Sequence, residues 1–206
     1  MIETLRDVTL TGRHTRNSTT FDVFTDGRES TPVARLHKDH LYTSKHALSV
    51  LTGPGLDQLE GWVTPRWAAR PDRVRIGTVD QKSGGLFGDG EWTFEQEGLS
   101  LITGRPTGMT KVRYGGPLGW TPMIRTMDML FTYRVRFQSA DSEGFEFARL
   151  TGARHPRYSL RIHDARISTM LALATIVYYD RVLDDAPRKG LMGYWGSRFG
   201  GDQDGG

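Results

Sequence analysis

Arg73, Arg75, Arg134, Arg136, Arg157 and Arg161 recur at alternate positions within three short segments. In an extended chain successive side chains leave opposite faces, so the arginines of each pair project from one side of their strand. A guanidinium presents a planar fork that fits two oxygens of a phosphate group. If the strands that carry them are neighbours, these residues form a basic face able to grip phosphorylated groups. Lys111 and Arg113, beside Gly108 and the Gly115-Gly116 turn, would extend it. The other reading is an ordinary solvated wall on which the arginines pair with acids.

The remaining polar clusters point to less. Gly104 to Lys111 lacks the spacing of a Walker A loop and reads as a turn. His37, His40 and His46, with Asp39, form a histidine cluster, but residues three apart on a strand face opposite sides, so they read as surface histidines rather than metal ligands. His163 beside Asp164 reads as part of a helix cap. Asp180, Asp184 and Asp185 place acid at the negative end of a helix dipole, which Arg181, Arg188 and Lys189, or a bound cation, would relieve. There is no nucleophile in an elbow context, no carboxylate pair in apolar surroundings and no metal-ligand spacing. The sequence therefore reads as a non-enzyme without a cofactor.

Composition sets the outer bounds. Of 206 residues 37% are hydrophobic and 25% charged, which suits a folded domain with a substantial core. The formal charge of +3, with arginine far in excess of lysine, permits an anionic partner without requiring one. The basic positions are not organised around a recognition helix or an aromatic stacking sheet, which argues against nucleic acid. The absence of cysteine excludes disulfides, thiolate metal sites and cysteine nucleophiles, and fits a cytoplasmic setting. Residues 1–7 alternate charged and apolar side chains instead of forming a signal peptide. The longest apolar stretch, Met170 to Tyr179, is about half the roughly 20 residues a spanning helix needs.

These residues must be held by strands. From Phe21 to about Ile162 the chain reads as short alternating runs separated by turn residues, the pattern of an antiparallel sheet with one buried face. Strands are predicted at 21–24, 32–36, 47–52, 73–79, 91–94, 99–103, 132–138, 145–150 and 157–162, with Asp26-Gly27 as a hairpin turn. Tyr133, Val135 and Phe137 alternate with Arg134 and Arg136; Tyr158, Leu160 and Ile162 alternate with Arg157, Ser159 and Arg161. After Asp164 the apolar residues from Ile167 to Leu183 cover nearly every direction around a helix, so a helix over about 165–185 is buried on most sides. Asp164 is its expected N-cap, with Ser168 the alternative. Residues 1–186 read as a single domain, and 187–206 as a Gly-rich segment in which Tyr194, Trp195 and Phe199 dock on the domain or recruit a protein partner.

Phe21-Asp22-Val23-Phe24 with Asp26-Gly27 and Val33-Ala34-Arg35, then Ile76-Gly77-Thr78-Val79 and Trp92-Thr93-Phe94, resemble the tubby C-terminal superfamily, which includes the LURP-one-related proteins and the phospholipid scramblases. Tyr158 to Ile162, leading through Asp164 into Leu171 to Val177 and Asp180, carries most of that resemblance. It implies a closed antiparallel barrel of about twelve strands threaded by the terminal helix. It also implies binding of anionic phospholipid head groups or another phosphorylated ligand, by a cytoplasmic module that associates with membranes from outside. A protein-interaction scaffold built on the C-terminal aromatics, or a ligand carrier or enzyme working at the barrel mouth, are the alternatives.

Overall fold

The computed structural model describes residues 2–25, 31–40, 45–84, 88–107, 133–150 and 155–181. A single 3-10 turn (Ile2–Thr4) precedes strands β1 (Asp7–His14), β2 (Thr19–Phe24), β3 (Ala34–Lys38), β4 (Leu48–Thr52), β5 (Gln58–Val63) and β6 (Trp67–Ala69). Then come β7 (Arg75–Gly84), β8 (Gly88–Gln96), β9 (Ile102–Pro106), β10 (Arg134–Gln138), β11 (Phe145–Leu150) and β12 (Arg157–Ile162). Each strand pairs antiparallel with the next, and β12 returns to β1, so the twelve close into a barrel with no free edge. The expected fold class is therefore observed. Predicted and observed strands coincide best where alternation is clean, at β10, β11 and β12.

The register explains the closure. Val8 lies opposite Leu160, and Leu10 opposite Tyr158 and Val23, so the inward positions of neighbouring strands align into apolar rows. Trp92, Phe94, Phe137, Phe145 and Phe147 are fully buried, and the Phe137 and Phe145 rings stack with centroids 4.3 Å apart. A ring of twelve strands encloses more space than side chains alone fill. Helix α1, whose described part is residues 169–181, occupies it. Leu171, Ala172, Ala174, Thr175 and Ile176 are completely buried, and Met170, Leu173 and Val177 nearly so, which is burial all round the helix and not along one stripe. Its aromatic side chains pack on the wall: Tyr178 meets Trp92 of β8, and Tyr179 meets Phe147 of β11 and Tyr158 of β12. On β7, Gly77 lets the helix come close, since a Cβ there would overlap the Glu95 carbonyl oxygen and lie 2.5 Å from Leu171 Cδ2.

The start of α1 corrects one expectation. Asp164 does not cap it. Ser168 does, its Oγ accepting the Leu171 N–H at 3.3 Å. Glu3 of the 3-10 turn completes the cap, accepting the Ser168 hydroxyl (2.8 Å) and the Thr169 N–H (2.6 Å), so an acid sits at the positive end of the helix dipole. Asp164 instead accepts the Arg166 backbone N–H at 2.9 Å and clasps its guanidinium, shaping the turn before the helix. That guanidinium, with the Ser142 hydroxyl, holds the Asp164 carboxyl well below the usual carboxylate range.

Candidate functional site

Of the basic residues singled out above, the six that are described do not form one patch. Arg134, Arg136, Arg157 and Arg161 do leave the outer wall, two from β10 and two from β12, but β11 lies between those strands and carries Glu146. Cross-strand partners run Asp7, Arg161, Glu146, Arg136 and Arg105 over β1, β12, β11, β10 and β9, so much of the row alternates in sign. Arg161 Nε is 3.1 Å from Asp7 Oδ2, and its Nη1 is 4.0 Å from Glu146 Oε1. Arg136 reaches Glu146 at 3.9 Å and donates to the Glu143 carbonyl at 2.8 Å. Arg134 lines a small hollow with Asp7, Glu146 and Arg161, and Arg157 sits across from Thr11 and Leu150. Here the ion-paired wall prevails, because acids invisible along one strand arrive by register from the next. Lys111 and Arg113 lie outside the described residues, as do the Asp26-Gly27 turn, Asp184, Asp185, Tyr194, Trp195 and Phe199.

Arg73 and Arg75 lie on the far side of the barrel, at the β6–β7 connection. The predicted strand over 73–79 starts only at Arg75. Arg73, with φ of 66°, belongs to a turn closed by its N–H to the Arg70 carbonyl (2.9 Å) and the Arg70 N–H to the Val74 carbonyl (2.9 Å). The turn lays the Arg73 guanidinium over the Trp62 indole at 5.4 Å and that of Arg75 over Trp67 at 5.6 Å. Both indoles are half-buried on the outer wall, and Val74 beside them is 53% exposed. Residues 62–76 hold four arginines against one aspartate, a net charge of +3 equal to that of the whole chain. Arg66 is 3.7 Å from Asp80, an exposed pair worth little in water.

A third group was not singled out in the sequence. Arg13, Thr20 and His37 are cross-strand partners on β1, β2 and β3, and Asp22 and Arg35 are partners on the next row. All five occupy outward positions. Asp22 is nevertheless buried, because Arg13 pairs with its Oδ2 and Arg35 Nε donates to its Oδ1 at 2.7 Å. Arg13, Thr20, Arg35 and His37 line a surface depression of about 410 Å³ with Leu51, Gly55 and Leu56. The signal available in the sequence was Asp22 itself, an acid inside the apolar run Phe21 to Phe24.

The other clusters resolve into structure. His37 bonds Thr20 Oγ1 and Asp39 Oδ1, each at 2.9 Å, while the His40 and His46 rings stack 3.6 Å apart. Among the described residues no group of three His, Asp or Glu is placed to hold a metal ion. Asp180 is buried at the last described turn of α1, where it accepts the Tyr158 hydroxyl and lies 2.9 Å from His14 Nε2. Its described partners include a phenol and an imidazole from the barrel wall, and Arg188 and Lys189 lie outside the described residues. Burial and the Asp180 charge push the Tyr158 hydroxyl far above the usual tyrosine range. Burial, and then Arg181, lower the Lys38 amine on the inner face of β3.

Among the described residues no helix is long and apolar enough to cross a membrane. Compared with protein-family models, with curated proteins and with solved structures, the chain matches none.

Proposed function

We propose that this protein is a non-enzymatic module that docks from the cytoplasm onto anionic phospholipid head groups through the face formed by residues 62–76. The observation that carries the reading is the pair of arginine–tryptophan stacks, Arg73 on Trp62 and Arg75 on Trp67, beside exposed Val74. Indoles favour the boundary between apolar and aqueous phases. Arginines near an anionic membrane surface contribute about 1 kcal/mol each. This face concentrates charge that the β10–β12 wall cancels with Glu146 and Asp7. The resemblance to tubby and LURP-one barrels supports the same ligand class.

The test is co-flotation of the full chain with liposomes of graded phosphatidylserine content in low and moderate salt. Arg73→Ala/Arg75→Ala is expected to lose tenfold or more in membrane partitioning, with added salt acting in the same direction. Arg136→Ala/Arg161→Ala, which removes two ion-paired charges, is expected to lose less than threefold. Folded protein that fails to float at low salt would overturn the reading and favour the scaffold alternative.

A further inference from the structure

We infer that the depression on β1–β3 is a second, discrete anion site, in which Arg13, Arg35 and Thr20 bind the tetrahedral oxygens of a phosphate or sulfate monoester and His37 makes that binding pH-dependent. The inference does not rest on the lipid-docking face, which lies on β5–β7.

The site is built around a carboxylate that is buried although it lies on the outer side of its strand. Asp22 occupies an outward position on β2 and is 3% exposed, because two guanidiniums cover it. Arg13 uses Nη2 and Arg35 uses Nε on the two oxygens of Asp22, and among the described residues no bond engages their other N–H groups. Two cations share one anion, so the cluster keeps an excess positive charge. Asp22 fixes two planar forks in place, which lowers the ordering cost of receiving an oxyanion. Thr20, in register between Arg13 and His37, adds a hydroxyl to the same depression.

The other wall is apolar. Leu51 and Leu56 line it, and Leu56 adopts φ of 53°, an unfavourable left-handed conformation for a bulky side chain, in the turn closed by its N–H to the Gly53 carbonyl. A basic floor beside an apolar wall, in about 410 Å³, suits the anionic group of an ester with an organic portion.

His37 supplies the pH dependence. Its Nδ1 is 2.9 Å from Thr20 Oγ1 and its Nε2 2.9 Å from Asp39 Oδ1, and the Ser49 hydroxyl fixes its backbone carbonyl at 2.9 Å. Both ring nitrogens have an oxygen to donate to, so the imidazolium is satisfied without rearrangement. The charged groups around it are Arg13 from β1, Asp22 from β2, and Arg35 and Asp39 from its own segment; β4 presents the uncharged Ser49 and Leu51. Protonation adds a further positive charge to the wall of the depression, and histidines exchange that proton between about pH 5 and 8. Affinity for a dianion therefore rises as pH falls.

Sulfate is the probe, because it keeps its charge of −2 over that range and any pH dependence belongs to the protein. Sodium sulfate is titrated into the full chain at pH 5.5 and 8.0, at ionic strength matched with chloride, and followed by NMR of the arginine Nε–H and histidine ring signals. Expected are saturable shifts on Arg13 and Arg35 and affinity about tenfold tighter at pH 5.5. His37→Gln should lose the pH dependence, and Arg13→Gln should weaken binding at both pH values. No saturable binding at either pH, or a pH dependence that survives in His37→Gln, overturns the inference. Arg73→Ala/Arg75→Ala should leave sulfate binding unchanged, so failure of this site and failure of the lipid face are separately visible. With that same variant, flotation on phosphatidic acid vesicles that sulfate competes away identifies a lipid monoester as the source, whereas sulfate binding without flotation identifies a free one.

Discussion

Leu171→Ala removes three carbons from a side chain that is completely buried on the face of α1 toward Gly77. At about 0.8 kcal/mol per carbon the lost transfer energy is about 2.4 kcal/mol. The space left behind adds to that. Elsewhere a helix shifts to close such a gap, but here twelve hydrogen-bonded strands ring it, and the aromatic layer of Trp92, Phe137 and Phe145 is already close-packed. The site is therefore expected to collapse poorly, placing the total near 4 kcal/mol, toward the upper part of the range seen for such truncations. The assay is guanidinium unfolding followed by tryptophan fluorescence and far-UV circular dichroism. The midpoint should fall while the slope stays the same, since the surface exposed on unfolding hardly changes. Leu101→Ala, at a residue 52% exposed, is the control and should cost less than about 0.5 kcal/mol. A loss below about 1.5 kcal/mol for Leu171→Ala would refute the argument, because it would mean that the barrel closes without α1 as a tightly fitted core.

Gly77→Ala should cost about 3 kcal/mol or more, because its Cβ meets both the Glu95 carbonyl oxygen and Leu171 Cδ2; adding Leu171→Ala should recover none of the part due to the backbone. A double-mutant cycle by thermal unfolding measures this. Asp164 has a lowered carboxyl pKa in the folded chain, so its contribution is present above the unfolded value of about 3.9 and is lost as pH falls through the folded value. Melting temperatures between pH 2 and 5 should accordingly fall less steeply in Asp164→Asn than in the parent.

The legible part of the fold was whatever repeats along one strand or one helix. Tyr133, Val135 and Phe137 announce an inner face, and the apolar residues around all sides of 167–183 announce a helix with no exposed stripe. Strands β1, β5 and β6 were not predicted, for separate reasons. In β1 the inward sequence Val8, Leu10 passes to Gly12 and then His14, which points inward for a polar reason, its contact with Asp180. In β5 a bulge opposite Val50 and Leu51 breaks the period, leaving Leu59 40% exposed. Strand β6 has three residues, too few for any pattern. For the site, alternation correctly put Arg134, Arg136, Arg157 and Arg161 on the outer wall, but Glu146 and Asp7 reach them only through strand register. Arg13, Asp22 and Arg35 are likewise joined by pairing across two successive hairpins.

The position of α1 after all twelve strands has a consequence for how the chain is made. Synthesis runs from the N-terminus, so at the ribosome the wall residues emerge first and the segment that fills the lumen comes last. Until α1 arrives, the rings of Trp92 and Phe147 lack their partners Tyr178 and Tyr179. Ring closure itself joins residues 7–11 to 157–161, so the first and last strands must also wait for each other. A chain interrupted just before residue 169 would thus carry all twelve strands and no finished core, leaving a large apolar surface by which chaperones and proteases can tell it from the full-length chain.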